Sequence, residues 1–383
     1  MKKAIVVGGS NGIGLAIVKV LIDKKYKVII VDKNEPDSTA MNINDDFEYI
    51  NTDLVYFDRD LFVKLSKDCE IEILMVTAGF GRAAAFEYLH TSEIERLMKV
   101  NAVATIEIIR CFYDRLKSKE SFNCGVVASI AGLISSPLFS VYAAAKAAVC
   151  RFVESINIEL EMKETNNRIL NVSPSSISGT RFNGGSNDIS QIETLAGEII
   201  CRMNNKEELF IPKYEEIFKY VIERYNADSH EYGVHSYNYK MKSGRVFNES
   251  RVRIGYLSGT FDLFHIGHLN LLKRAKSQCD YLIVGVHSSG AWKGKEPFIS
   301  LDERKQIVAA CKYVDKVVDS CKEDSDAWDL WHYSKLFVGS DYKGTERFNR
   351  YEEYFKDKDV EIVYFPYTKG TSSTQLREAI SSK

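Results

Sequence analysis

Short aliphatic runs alternate with longer amphipathic segments along the first half of the chain. Ala4–Val7, Lys27–Val31 and Ile71–Val76 have the length and β-branched composition of buried strands. Gly14–Lys24 lies between the first two and has the apolar spacing of a helix. Because strands separated by helices form parallel βαβ units, the pattern predicts an α/β domain built on a parallel sheet. Two more strand-like runs continue it, Gly125–Ala128 and Leu170–Val172.

A second alternation begins at Arg253–Ser258 and predicts a separate, smaller α/β domain. Its other predicted elements are helices from Gly267 and Leu301 and strands at Tyr281–Val286, Lys335–Val338 and Glu361–Phe365. A chain of 383 residues is long for one core, which also favours two domains. We place the first domain at residues 1–225 and the second at 252–383. Residues 226–251 are polar and aromatic without clear periodicity, so we expect a linker there.

Composition excludes several classes of protein. The net charge of −2 provides no basic field for nucleic acid or an anionic membrane. No apolar stretch approaches the roughly 20 residues that span a bilayer, and the run after Met1 is too short for a signal peptide. The eight cysteines are scattered without metal-like spacing. We therefore expect a cytoplasmic protein with reduced thiols, small-molecule substrates, no membrane insertion and no metal held by side chains alone.

A glycine-rich turn follows the first predicted strand and opens a helix. Glycines in such a turn let the backbone approach a pyrophosphate, which then lies on the N–H groups at the helix N-terminus. Asp32 ends the second strand, where its carboxylate would accept hydrogen bonds from the adenosine ribose, favouring NAD(H). Lys33 would instead pair with the 2′-phosphate of NADP(H), so both cofactors stay open. The turn contributes Gly8, Ser10, Asn11, Gly12, Ile13 and Gly14 as candidate cofactor-binding residues.

Four polar residues further along the chain complete a hydride-transfer site. Tyr142 and Lys146 are four apart and share one face of a predicted helix. Tyr142 would donate a proton to the alkoxide that hydride addition leaves on a carbonyl, with its pKa lowered by the Lys146 ammonium. Ser129, at a strand end, would orient the carbonyl oxygen. Asn101 would position a water behind the lysine as a proton relay.

This combination resembles the short-chain dehydrogenase/reductase family, whose pattern extends from residue 1 to about 225. The resemblance implies a doubly wound Rossmann sheet and adds Asp53 as an adenine contact, Lys146 as a nicotinamide-ribose contact and Thr180 near the carboxamide. It also adds Leu54, Ala78, Gly79 and Pro174 to the cofactor site. The chain departs from the family pattern at Val7, Val76 and Ser175, and Thr180 stands one residue late.

The second domain carries a different phosphate-handling pattern. His265 and His268 are three apart at a predicted helix start, where imidazoles and backbone N–H groups together favour an anion. Gly267 leaves room for a nucleotide against the backbone. Downstream, Lys293 and Lys295 would reach a triphosphate from a loop, and Arg304 would hold a phosphate. A last hydroxyl-rich helix start adds candidate phosphate contacts at Gly370, Ser372, Ser373 and Thr374.

Residues from about 252 to 383 resemble the nucleotidyltransferases that carry the HxGH signature, with the closer match to glycerol-3-phosphate cytidylyltransferases. That resemblance implies a smaller Rossmann-like fold in which Mg²⁺ bridges the oxygens of CTP. His265, His268 and Lys293 would then act in catalysis. Gly259, Thr260, Phe261 and Asp341 join Lys295, Arg304 and the hydroxyl-rich segment as nucleotide contacts. Tyr367 occupies the place of a frequent arginine, which leaves CTP and ATP both open.

Adjacency of the two patterns predicts a bifunctional enzyme. The first domain would reduce a phosphorylated ketose such as ribulose 5-phosphate with NAD(P)H. The second would join the alditol phosphate to CMP, giving a CDP-alditol such as CDP-ribitol for capsule or teichoic-type polymers. The resemblance also implies a homo-oligomer, a dimer or tetramer. The alternative is a cytidylyltransferase or adenylyltransferase whose reductase domain is regulatory or unrelated.

Overall fold

The computed structural model describes residues 2–36, 46–180, 182, 188–244, 246, 252–289, 296–366 and 375–377. The chain divides into two compact units, Met1–Ser250 and Arg251–Lys383. Within the described residues, no helix is both long and apolar enough to cross a membrane.

The described part of the first unit forms a parallel sheet of seven strands in the order β3-β2-β1-β4-β5-β6-β7. The strands are β1 (Lys3–Val7), β2 (Lys27–Asp32), β3 (Phe47–Asn51), β4 (Ile71–Val76), β5 (Asn123–Val127), β6 (Ile169–Val172) and β7 (Leu209–Phe210). Its α-helices are α1 (Gly12–Asp23), α2 (Arg59–Ser66), α3 (Thr91–Met98), α4 (Ala104–Leu116), α5 (Ser140–Met162), α6 (Glu193–Asn204), α7 (Lys219–Ala227) and α8 (Ser229–Lys242).

Alternation along the strands separates two hydrophobic layers. In β1, Ile5 and Val7 join a buried cluster with residues of α4 and α5, while Ala4 and Val6 join another with residues of α1 and α6. A strand that is apolar on both faces must be covered on both, which is why β1, β2 and β4 are almost continuously hydrophobic. The predicted doubly wound sheet is confirmed.

The second unit is a smaller α/β domain of the same kind. Its described strands form a parallel sheet in the order β10-β9-β8-β11-β12. They are β8 (Ile254–Gly259), β9 (Tyr281–Val286), β10 (Lys316–Asp319), β11 (Lys335–Gly339) and β12 (Glu361–Phe365). The α-helices described here are α9 (Ile266–Lys276), α10 (Leu301–Ala309), α11 (Asp324–Trp331) and α12 (Glu346–Phe355). The predicted smaller α/β fold is confirmed as well.

The segment 226–251 differs from a plain linker. Asp228 caps α8 by accepting hydrogen bonds from the backbone N–H groups of His230 and Glu231. Val246 then forms an isolated bridge with Ala83, so this part of the chain belongs to the first unit. None of the residues of α8 is fully buried, so the helix has no continuous apolar face and its sequence shows no helical periodicity.

In both sheets the strand order reverses next to the first strand of the unit. β1 lies between β2 and β4, and β8 lies between β9 and β11. Crevices that bind ligands form at the carboxyl ends of strands at such reversals. The glycine-rich turn follows β1, and the histidine turn follows β8, so both predicted sites stand at these positions.

Candidate functional sites

The turn after β1 is shaped by close backbone contact. Gly8 has φ +86°, and a Cβ there would lie 2.4 Å from the backbone nitrogen of Ala78. Only glycine tolerates both conditions. Thr77 donates a hydrogen bond to the Val7 carbonyl, which ties the end of β4 to the same turn. The N-terminus of α1 therefore opens directly between β1 and β4.

A cavity of 640 Å³ extends from this turn along the carboxyl ends of the sheet. Most residues that the sequence assigned to the first site line it. They are Gly8, Asn11, Gly12, Ile13, Gly14, Asp32, Lys33, Asp53, Leu54, Ala78, Gly79, Ser129, Tyr142, Lys146, Pro174 and Thr180. Ser10 and Asn101 do not line the cavity, but each forms hydrogen bonds to a residue that does, Asp32 and Phe80 respectively.

Ser10 supports Asp32. It is 2% exposed, and its hydroxyl and backbone N–H lie 2.7 and 3.2 Å from the same Asp32 oxygen. The other Asp32 oxygen accepts from the backbone N–H of Asn34 at 3.1 Å. These bonds hold the carboxylate at the cavity wall, while Lys33 beside it is exposed. An acceptor for a ribose hydroxyl and a cation for a phosphate thus stand side by side.

Helix α5 brings the catalytic candidates together. The Ser129 side chain lies close enough to the Tyr142 hydroxyl to lower its pKa. Lys146, one turn further, donates to the Val127 carbonyl at 2.9 Å, and its Nζ lies 5.8 Å from the centre of the Tyr142 ring. The short turn after β5 that starts at Ser129 packs directly on α5, because a Cβ on Gly132 would lie 2.7 Å from the backbone carbonyl of Lys146.

Burial dominates the electrostatics of this pair. It raises the pKa of Tyr142 to about 12, although the hydrogen bond with Ser129 acts in the opposite direction. It lowers the pKa of Lys146 to about 8. The expectation that Lys146 lowers the pKa of Tyr142 is therefore wrong, because desolvation disfavours both charged forms and outweighs the other influences.

Asn101 lies in a turn of π-helix, Lys99–Val103, and is fully buried. Its Oδ1 accepts from the Phe80 backbone N–H at 3.0 Å, and its Nδ2 donates to the carbonyls of Phe80 and Leu97 at 2.8 and 3.0 Å. π-helical turns often mark functional positions. Here the amide fixes the backbone beside Gly79 at the cavity wall, and the predicted water-positioning role stays a prediction.

In the second unit, the turn between β8 and α9 contains two residues in the left-handed region. Phe261 has φ 52° and Leu263 has φ 49°, which is uncommon for residues with a side chain. His265 follows as the N-cap of α9, and its Nδ1 accepts from the Gly267 backbone N–H at 3.0 Å. His268 Nδ1 accepts from the His265 backbone N–H at 3.4 Å. The two rings are 4.1 Å apart between centres.

These bonds determine which tautomer each neutral histidine ring adopts. A ring nitrogen that accepts a hydrogen bond carries no proton, so each neutral ring has its N–H at Nε2. Burial lowers the pKa of both, and of His268 to about 4, where His265 and then Asp262 act as smaller influences of opposite sign. The rings of Phe261 and Phe264 pack 5.2 and 5.4 Å from His268. The pair therefore offers neutral N–H donors at neutral pH.

Asp262 anchors this turn, a role that the sequence did not reveal. It is 3% exposed and accepts from the backbone N–H groups of Phe298 and Ile299 at 3.0 to 3.1 Å. It also forms an ion pair with Arg377. Phe298 follows Lys295 by three residues, and Arg377 follows Thr374 by three. One carboxylate thus fixes chain positions next to both segments that were predicted to hold the triphosphate.

Comparison with known proteins assigns each unit. Residues 2–189 match the family model for short chain dehydrogenases, and residues 256–381 match the cytidylyltransferase-like model. The glycerol-3-phosphate cytidylyltransferase of Bacillus subtilis is 37% identical over 127 residues, which are 32% of this chain and 93% of that protein. The chain joins a domain of the short chain dehydrogenase type to a domain of the cytidylyltransferase family.

Two further similar proteins are dehydrogenases. Dehydrogenase RED2 of Cochliobolus heterostrophus is 32% identical to the reductase domain over 162 residues, 41% of this chain and 60% of that protein. A short-chain dehydrogenase structure from Streptomyces avermitilis covers 62% of this chain and 97% of its own, at 18% identity and a TM-score of 0.49.

In the cytidylyltransferase domain, several predicted residues lie close to the strand ends. Gly259 ends β8, Thr260 and Phe261 continue into the turn, and Asp341 is exposed in the short turn after β11. The predicted residues Lys293, Lys295, Gly370, Ser372, Ser373 and Thr374 lie outside the described residues. Among the described residues, no group of three or more His, Cys, Asp or Glu side chains is placed to hold a metal.

Arg304 stands elsewhere than expected. Its side chain is 1% exposed and donates to the carbonyls of Thr260, His287, Ser288 and Ile299 at 2.6 to 3.1 Å. Burial lowers its pKa, and Asp262 opposes that shift. The structure therefore contradicts a direct phosphate contact, because the guanidinium is already used to hold the backbone around the histidine turn. The sequence around Arg304 could not show this, since burial is not visible in sequence.

We expect Arg304→Met to destabilise the cytidylyltransferase domain by about 2–5 kcal/mol, since four partly buried carbonyls lose a charged donor. All three tryptophans lie in this domain, so urea unfolding followed by tryptophan fluorescence reports on it. Arg274→Met is the matched control, because the exposed Arg274 bond reaches only the Pro366 carbonyl. Unchanged unfolding of Arg304→Met with a weakened affinity for CTP would instead restore the phosphate role.

Proposed function

We propose that the chain reduces a phosphorylated ketose to an alditol phosphate and then transfers CMP from CTP to that product. Ribulose 5-phosphate and CDP-ribitol are the leading substrate and product. The observation that carries the proposal is the presence, in one chain, of the Tyr142–Ser129 pair and the His265–His268 turn. A cytidylyltransferase of this kind needs an alditol phosphate as its substrate, and the reduction of a ketose phosphate produces one.

The reductase cavity fits a nicotinamide dinucleotide. The N-terminus of α1 faces it after a turn that only glycine allows, and the Asp32 carboxylate is fixed at its wall. Together they offer N–H donors for a pyrophosphate and an acceptor for a ribose. When bound, the nicotinamide supplies the hydride. NAD(H) and NADP(H) both remain in the proposal, because Asp32 and Lys33 favour different forms.

Tyr142 and Ser129 would act at the carbonyl oxygen. As hydride reaches the carbon, the oxygen gains negative charge, and the Tyr142 hydroxyl transfers its proton there. A raised pKa keeps Tyr142 protonated at neutral pH, which is the form that reduction requires. Ser129 would donate a hydrogen bond to the same oxygen. Lys146, with a pKa of about 8, would return a proton from solvent to the phenolate that Tyr142 leaves behind.

In the cytidylyltransferase domain, a phosphate oxygen of the alditol phosphate attacks the α-phosphorus of CTP and pyrophosphate leaves. The Nε2–H groups of His265 and His268 would stabilise the charge that develops on the transferred phosphoryl oxygens. Mg²⁺ enters this proposal with CTP, as the counter-ion of its phosphates. Lys293, Lys295 and Ser373 complete the proposed site. The predicted homo-oligomer and the role in capsule or teichoic-type polymers stay predictions.

The test is a complete reaction with the full chain. With ribulose 5-phosphate, NADH or NADPH, CTP and Mg²⁺, we expect nicotinamide oxidation and a CDP-alditol detected by mass spectrometry. Ribitol 5-phosphate and CTP should give the same product without a nicotinamide. Substituting ATP for CTP tests the adenylyltransferase alternative. Absence of any CDP-linked polyol across a panel of ketose phosphates would overturn the coupling, even if each domain turns over separately.

A further inference from the structure

Helix α8 places one cation in the wall of the reductase cavity. Lys240 lies near its C-terminal end and lines the cavity together with Ser136, Phe139 and Tyr142. Among the described residues of α8, Lys240 alone lines the cavity, and no residue of this helix is fully buried. A mainly exposed helix thus contributes a single side chain to the substrate end of the site.

Contacts hold the Lys240 ammonium at a defined point. Its Nζ donates to the Ser136 hydroxyl and to the Pro137 carbonyl, both at 2.8 Å. It also lies 5.4 Å from the centre of the Phe139 ring. The Phe139 ring is 5.8 Å from the Tyr142 ring. Lys240 and Tyr142 thus lie on either side of contacts to the same Phe139 ring and line one cavity, where a substrate could meet both.

The Lys240 acceptors are neutral. A buried ammonium usually pairs with a carboxylate, since desolvation otherwise disfavours its charge. In the described residues no carboxylate is recorded against Lys240, and burial alone lowers its pKa to about 8. Its charge is therefore only partly compensated, and an anion entering the cavity would restore that compensation.

The other cations of the wall have different surroundings. Lys146 donates to a strand carbonyl beside Tyr142, and Lys33 stands exposed next to Asp32 at the opposite end of the site. Arg96 lies 5.8 Å from the Phe80 ring and has further partners. Lys146 belongs to the catalytic pair and Lys33 to the cofactor end, so Lys240 is the partly buried cation with neutral acceptors that lines the cavity beside Phe139.

We infer that Lys240, with the Ser136 hydroxyl, binds the phosphate group of the ketose substrate. The inference deepens the proposed function and rests on it. A charge-assisted bond to a partly desolvated phosphate oxygen is strong, and it gives discrimination between phosphorylated and unphosphorylated ketoses. Helix α8, in a segment that appeared to be a linker, would then be a specificity element of the reductase domain.

The test compares ribulose 5-phosphate with ribulose in the full chain. Lys240→Met keeps the aliphatic stem over Phe139 and removes the charge. We expect it to raise KM for ribulose 5-phosphate roughly 10- to 100-fold, with kcat nearly unchanged and with no change in kcat/KM for ribulose. Lys240→Arg should keep most of the preference. Lys242→Met, at an exposed lysine on the same helix, is the matched control.

A second measurement does not need turnover. With NADH bound, inorganic phosphate should change the fluorescence of the nicotinamide in the wild type and in Lys242→Met, but not in Lys240→Met. Equal losses for both sugars in Lys240→Met, or an unchanged phosphate response, would overturn the inference and leave Lys240 as an anchor for α8. Failure of the wild type to reduce any ketose phosphate would instead overturn the proposed function, which the phosphate titration separates from the role of Lys240.

Discussion

Tyr142→Phe should reduce the rate of ketose reduction by roughly 10²–10⁴-fold, the usual contribution of a positioned general acid. The substitution removes only the hydroxyl, so the ring contacts with Phe139 and Phe182 remain. Binding of the nicotinamide, measured by fluorescence titration, should change little. CMP transfer to a supplied alditol phosphate should continue at the wild-type rate, because its residues belong to the other unit.

Tyr113→Phe is the matched control for this experiment. Tyr113 lies on α4, and its hydroxyl makes only a long bond of 3.5 Å to Glu159. We expect wild-type reduction from it. A Tyr142→Phe variant that still reduces ketose phosphate at more than a tenth of the wild-type rate would contradict the assignment of the proton donor. Absence of nicotinamide oxidation in the wild type, together with normal formation of CDP-alditol from a supplied alditol phosphate, would favour the regulatory alternative.

His268→Leu should lower the rate of CMP transfer by roughly 10²–10³-fold, as expected when one donor to a developing oxyanion is lost. His268→Gln should retain part of the rate, because its amide nitrogen can donate from a position close to that of Nε2. Both rates are measured as pyrophosphate release from CTP with an alditol phosphate. Nicotinamide oxidation in the reductase domain should be the same in both variants.

His332→Asn provides the control in the same domain. His332 has φ 42°, a conformation that asparagine also tolerates, so this change removes an imidazole without straining the backbone. We expect normal CMP transfer from it. Equal rates for His268→Leu and His268→Gln would show that the ring matters for packing against Phe261 and Phe264 and not as a donor.

The sequence was sufficient for the framework of both sites because that framework is local. A strand, a tight turn and a helix are adjacent in the chain, so Gly8–Gly14 and the segment Gly259–His268 are recognisable without tertiary information. The positions of Tyr142 and Lys146 follow from helical spacing in the same way. Parallel strand order then brings the turns to the carboxyl edge of each sheet.

Burial accounts for what the sequence did not predict. The pKa of Tyr142 rises instead of falling because burial outweighs the hydrogen bonding of Ser129. Arg304 does not contact phosphate because its guanidinium donates to four backbone carbonyls, three of which are 16 to 44 residues away in the sequence. Lys240 and Asp262 act through contacts across 104 and 115 residues, to Ser136 and Arg377 respectively. No local pattern marks such pairs.

The contact at Gly132 has a consequence for natural variation. Any larger residue at position 132 would push against the backbone of Lys146 and Ala147, where neither partner is a movable side-chain tip. The turn carrying Ser129 would have to move away from α5, and Ser129 would lie further from Tyr142. Among proteins with the same two domains, those with a larger residue at this position should therefore lack reductase activity and keep transferase activity.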